Sequence, residues 1–104
     1  MINKLTFILF ALFFISGCQI SQKDQEKAAE LCIKECRDRL DKGEDFSRGP
    51  CLSSQIIPDW VCDIAHNPRR DIDNQPENQC SAFRERTALH FVELDENCSL
   101  IRIY

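Results

Sequence analysis

Cys32, Cys36, Cys51, Cys62, Cys80 and Cys98 carry most of the chemistry this sequence offers. Thiols can hold a metal, attack a substrate or bridge one another. Zinc sites of the ribbon and finger type draw their cysteines from closely spaced pairs. No Cys-x-x-Cys occurs here, so a metal reading would have to recruit His66 and His90. A catalytic thiol must be free, and an even count leaves none over. The six therefore read as a framework of three disulfides. Cys32 and Cys36 are not expected to pair with each other. Four apart on a helix, their Cβ atoms would lie about 5–6 Å apart, whereas a disulfide wants about 3.5–4.5 Å. The remaining pairings stay open.

The other chemical groups are fewer. His66 with Asp63 could form an acid–base couple for a small hydrolase. The chain has no Gly-x-Ser-x-Gly, no His-Glu-x-x-His and no phosphate-cradling glycine loop to go with it. His66 also precedes Asn67-Pro68, where a histidine commonly bonds the last carbonyls of a helix. No catalytic residue is therefore assigned. The polar stretch 67–79 holds Arg69, Arg70, Asp71, Asp73 and Glu77 and is the candidate binding loop. Its carboxylates resemble a calcium loop without the sharp-turn glycine or the flanking helices. No metal and no cofactor is assigned. Arg84, Arg86 and Arg102 could line one face as a patch for an anion or a partner.

These residues need elements to position them. Ser21 and Asp24 resemble a capping box. From about Gln22 to Lys42 the apolar residues keep mainly to i, i+3, i+4 spacing, so a long amphipathic helix is expected, ended by Gly43. Cys32 and Cys36 then share one helix face, which two other segments must meet. Residues 43–57 read as loop. Pro58 followed by Asp59–His66 reads as a short second helix, with Trp60 at the centre of a small core. Cys80–Arg86 is ambiguous between helix and strand. Leu89–Leu94 and Leu100–Tyr104, around the turn residues Asp95-Glu96-Asn97, read as a C-terminal antiparallel hairpin. Asn97-Cys98-Ser99 fits the glycosylation pattern, but a bridged middle residue in a tight turn argues against its use.

The first residues carry an address. Lys4 precedes an apolar run from Leu5 to Ile15, followed by Ser16, Gly17 and Cys18. A basic start, a short apolar stretch and small residues make a secretory signal. The run is too short to span a bilayer, which takes about 20 residues. Ile15-Ser16-Gly17-Cys18 resembles the lipobox of prokaryotic lipoproteins. That resemblance, confined to residues 1–18, implies cleavage before Cys18 and a new N-terminus carrying acyl chains such as palmitate. Two or more chains hold a protein stably at a membrane. Gln19 rather than aspartate after Cys18 implies the outer membrane if the host is Gram-negative.

Composition agrees with export. Seven cysteines in 104 residues is heavy for a cytosolic chain. Removing residues 1–17 leaves 87 residues, and losing Lys4 takes the formal charge from −4 to −5. That excludes non-specific nucleic-acid binding, which needs a basic surface. Leu, Ile, Val and Phe make up about 22 % of residues 18–104, so a domain this small needs staples. The sequence thus divides into a signal peptide (1–17), a lipidated cysteine with its tether (18–22) and a disulfide-rich extracytoplasmic domain (23–104). The expected fold class is α+β: one long helix stapled to a short helix and a C-terminal hairpin. The expected function is a monomeric, membrane-anchored, non-catalytic module that binds a protein or glycan of the cell envelope. The small hydrolase and the metal binder are the alternatives.

Overall fold

The computed structural model describes residues 21–104; the signal segment and Cys18 lie outside the described residues. The fold is α+β. Helix α1 (Gln22–Asp41) precedes strands β1 (Cys51–Ile57) and β2 (Trp60–Ile64). A short helix α2 (Ser81–Arg84) and strands β3 (His90–Leu94) and β4 (Leu100–Ile103) complete it. The strands form one sheet in the order β1-β2-β3-β4. Among the described residues, no helix is long and apolar enough to cross a membrane.

Ser21 starts α1, its hydroxyl accepting a bond from the Asp24 N–H at 3.4 Å. That satisfies one of the amides the first turn leaves unbonded. Gln22, placed in the tether by its sequence, is the first helical residue. Gly43, at φ +87°, carries the chain out beyond Lys42. The buried stripe is Ala28, Cys32 and Cys36, one residue per turn.

The expected second helix is instead strand β2. Trp60, Val61, Cys62 and Ile64 are all buried. A run with both of its sides covered is a central strand, and on sequence alone it is easily mistaken for a short buried helix. Residues 43–57 were expected to be loop throughout, and β1 occupies their second half. Its Ser-Ser-Gln centre is polar, and its pairing with β2 slips register twice. Pro58-Asp59 makes the two-residue connection, Asp59 taking φ +73°, as the third residue of a type II turn must.

β2 runs parallel to β3, in a register that sets Asp63 beside Glu93. β3 and β4 are antiparallel, with Glu93 opposite Arg102. Between them the Asp95 carboxylate accepts from the N–H groups of Asn97 and Ser99 at 2.8 and 2.9 Å. This local Asx-type geometry tightens the turn.

Three disulfides join these parts: Cys32–Cys62, Cys36–Cys98 and Cys51–Cys80. The two cysteines of α1 reach different segments, Cys62 in β2 and Cys98 in the β3–β4 turn. Alternation along β2 and β3 gives the sheet two unlike faces. Trp60, Cys62, Ile64, Val92 and Leu94 pack under α1. Val61 and Phe91 point the other way, against Cys80, Ala82, Phe83 and Ala88.

Candidate functional site

The face away from α1 carries a cleft of about 100 Å³. Val61 and Asp63 of β2, Phe91 and Glu93 of β3 and Arg102 of β4 form its floor. Cys80, Phe83 and Arg84 form one wall, and Arg69 and Gln79 another. Strand alternation makes this set inevitable once β2 and β3 are parallel and in register. The same period that sends Cys62 and Val92 under the helix sends Asp63 and Glu93 to the opposite side.

Charge within the cleft is partly paired. Glu93 is buried and lies 3.1 Å from a guanidinium nitrogen of Arg69 and 3.5 Å from one of Arg102. Arg102 also lies over the Phe91 ring, 5.1 Å from its centroid, a cation–π arrangement. Asp63 has no such partner among the described residues. Burial pushes its carboxyl up to about 8; Glu93 on the next strand adds to the rise and Arg69 opposes it. Asp63 is therefore a neutral acid at pH 7 while Glu93, its register neighbour, is held between two arginines.

A ladder of rings leads outward from the cleft. Phe83 meets Phe91 edge-on at 5.0 Å, and Tyr104 stacks on Phe91 at 5.3 Å. Tyr104 is 61 % exposed and Leu89 56 %. Both line an adjoining open groove with Phe83, Arg86 and Ala88. Arg84 donates to the Pro76 carbonyl at 3.4 Å, and neither it nor Arg86 has a carboxylate partner among the described residues.

The residues singled out from the sequence are sorted differently. His66 is not coupled to Asp63. Its Nδ1 lies 2.9 Å from Asp73, and both side chains are buried. Asp73 also accepts from the backbone N–H of His66 at 3.0 Å and of Arg70 at 2.9 Å. Burial works against its charge, yet these N–H groups and the imidazole outweigh it and lower the Asp73 pKa. Gly49 belongs to the same knot. At φ +65° it sits so close that a Cβ would collide with the Asp73 carboxylate and lie 3.1 Å from the Ile64 carbonyl. His66 Nε2 looks toward Glu96 at 4.0 Å, and that Glu96 oxygen is buried without a partner.

Residues 67–79 are accordingly not a free polar loop. They form two 3-10 turns, Asp71–Asn74 and Pro76–Asn78. Asp73 and Asn78 are buried, and Asn78 donates to the Ile72 carbonyl at 3.0 Å. Arg69 turns back into the cleft, while Arg70, Asp71 and Glu77 remain exposed. Asp71, Asp73 and Glu77 do not converge on a common point. Among the described residues, the one cluster with metal-ligand spacing is Cys51, Asp63 and Cys80, and its two sulfurs are joined to each other. His90 stacks on Trp60 at 4.8 Å and lies 3.5 Å from Asp59. Compared with known families, curated proteins and solved structures, the chain matches none.

Sequence reasoning passed over Asp63 and Glu93 as a pair. One signal was present: each is the only acid inside an apolar run, Trp-Val-Cys-Asp-Ile and Phe-Val-Glu-Leu. An acid in a buried strand calls for a specific environment.

Proposed function

We propose that this protein is a lipid-anchored, extracytoplasmic module without catalytic activity of its own, which docks an acidic segment of an envelope protein. The anchor is Cys18, on the strength of its lipobox. The docking surface is the sheet face away from α1. The observation that carries the reading is the juxtaposition of exposed Arg84 and Arg86 with the Phe83–Phe91–Tyr104 ladder. Aromatic residues and arginine dominate the energetics of protein interfaces. Two exposed arginines without carboxylate partners among the described residues favour a negatively charged group at that patch, against the net negative charge of the whole chain. The cleft of about 100 Å³ takes a side chain, since small-molecule sites are about 300–1,000 Å³, and the adjoining groove of about 490 Å³ leaves room for the residues beside it.

The binding half is tested with immobilised Asp/Glu-rich peptides, each bearing one aromatic residue, beside a glycan array. The wild-type domain is expected to bind the acidic peptides. Arg84→Glu with Arg86→Glu is expected to weaken that binding about tenfold or more, and Arg37→Glu on the helix to leave it unchanged. Binding confined to glycans, or indifferent to the arginine reversal, overturns the reading. The anchor is tested by intact mass of membrane-extracted protein. An acylated chain beginning at Cys18 is expected, and an unmodified chain beginning at Met1 removes the anchor.

A further inference from the structure

The Cys51–Cys80 bridge differs from the other two in its surroundings. Cys32, Cys36 and Cys62 are wholly enclosed and Cys98 is 3 % exposed. Cys51, by contrast, is half-buried at the start of the edge strand β1, while Cys80, 3 % exposed like Cys98, forms part of the cleft wall. The Cys80 sulfur lies 3.5 Å from the Cys62 carbonyl oxygen and 3.6 Å from that of Ser53. Two carbonyl oxygens disfavour negative charge at that sulfur. A thiolate expelled there is a poor leaving group unless it takes up a proton as it forms. The acid within reach is Asp63, whose carboxylate oxygen lies 4.0 Å from the Cys80 sulfur.

We infer that Cys51–Cys80 is an exchange-active disulfide, opened by a protein dithiol through attack on Cys51, with Asp63 as the proton donor to Cys80.

The attacking thiolate forms a bond to the half-buried Cys51 sulfur as the Cys51–Cys80 bond breaks. The electron pair leaves on the Cys80 sulfur, and Asp63 passes its proton to it, becoming a carboxylate. The second thiolate of the same dithiol then attacks its own sulfur in the mixed disulfide. Cys51 departs as a thiolate and takes a proton from water. The incoming dithiol is oxidised to a disulfide, and Cys51 and Cys80 are reduced to thiols. Asp63 regains its proton from solvent through the cleft. Opening the bridge removes the covalent tie between β1 and the residue that leads into α2, the helix that carries Phe83 and Arg84, and leaves the cleft wall held by non-covalent contacts alone.

Asp63 is suited to this step because it still holds its proton at neutral pH. Burial is the main cause, Glu93 and Asp73 add to it, and Arg69 opposes it. Arg84 and Arg102 line the same cleft, with Arg102 engaged by Glu93. No charged group of α1 enters this face, since the helix packs on the other side of the sheet.

The test is timed reduction of the full chain by dithiothreitol, quenched by alkylation and read peptide by peptide. Cys51 and Cys80 are expected to be labelled about tenfold or more ahead of the other four. Dividing the rate by the dithiothreitol thiolate concentration should give a value that falls as pH rises through about 8. Asp63→Asn should lower this normalised rate about tenfold or more and remove its pH dependence. Glu93→Gln should move the fall to lower pH. Equal reduction of all three bridges overturns the inference, as does an unchanged rate and profile in Asp63→Asn. Should that variant not fold, the wild-type profile decides alone, and a normalised rate independent of pH overturns the proton donor.

Discussion

Under α1, Trp60, Cys62 and Ile64 of β2 and Val92 and Leu94 of β3 meet Ala28, Cys32 and Cys36, and none of these is more than 2 % exposed. On the other side of the same strands, Val61 is 1 % and Phe91 8 % exposed. There the next inward-facing positions are Asp63 and Glu93, and the cover is a helix of four residues. One face is closed by a five-turn helix with two covalent ties; the other is half closed, with one tie and four arginines around it. The contrast shows how a chain poor in large apolar side chains divides its resources. It completes a single core and leaves the second face as a surface with chemistry.

Removing bridges one at a time should expose that contrast most strongly. Cys32–Cys62 and Cys51–Cys80 span almost equal separations, 30 and 29 residues. The entropy lost from the unfolded chain is then nearly equal for the two, about 4 kcal/mol. Any difference between them reports the native surroundings. Replacing both cysteines of Cys32–Cys62 by alanine should cost about 5 kcal/mol and abolish cooperative melting at 37 °C. The same change at Cys51–Cys80 should cost about 4 kcal/mol, the entropic part with little added for packing at half-buried Cys51, and leave the larger residual stability. Thermal unfolding by circular dichroism checks both, and equal losses would erase the distinction between the faces.

Titration should separate the faces next. The folded chain keeps the Asp63 proton until about pH 8, whereas an ordinary aspartate loses it near 3.8. Between those values the folded state binds the extra proton, so this residue makes stability fall as pH rises and then level off. Asp63→Asn should therefore raise stability by roughly 2–3 kcal/mol at pH 8 and by almost nothing at pH 4, a gain moderated by water in the cleft. Asp73 acts in the opposite sense. Its pKa is lowered, so its contribution is present at neutral pH and is lost as pH falls below 3.8. Urea titrations across pH 3–9 measure both limbs. A stability profile for Asp63→Asn parallel to wild type would contradict a half-buried acid held neutral.

The smallest effect should come from the outer ring of the open face. Phe83→Ala removes a half-buried ring that meets Phe91 edge-on. A cost of about 1–2 kcal/mol is expected, against about 3–5 kcal/mol for Trp60→Ala under the helix. Equilibrium denaturation of the two variants tests the ratio.

The sequence carried the broad architecture and concealed its centre. Cysteine parity and export composition led to three bridges, and helical spacing ruled out a Cys32–Cys36 bond. The β-rich runs around Asp95-Glu96-Asn97 indicated that β3 and β4 pair. What was hidden lay where local signals compete with tertiary burial. Trp60–Ile64 has no two-residue alternation because both of its faces are covered, and Pro58 before it supplies a convincing helix start. The Ser-Ser-Gln of β1 gives no apolar pattern, since that edge strand buries only one side. His66 found Asp73 rather than Asp63, nearer in sequence, because it lies beyond the end of β2 and meets the 3-10 turn that holds Asp73. That choice cannot be seen before the strand itself is recognised.

The paired ties on α1 have a mechanical consequence. A helix fixed at one point can swivel; fixed at Cys32 and again one turn later at Cys36, it can neither roll nor slide. Tension applied at the N-terminal end of the domain passes along α1 and then through sulfur into the central strand and the β3–β4 turn. A pull between residues 21 and 104 can lengthen only residues 21–36 and 98–104 while Cys36–Cys98 holds. At about 3.5 Å per residue, that is some 80 Å rather than nearly 300 Å. Residues 37–97, with β1, β2 and β3, are shielded from extension, whereas β4 and its Arg102 lie on the pulled path.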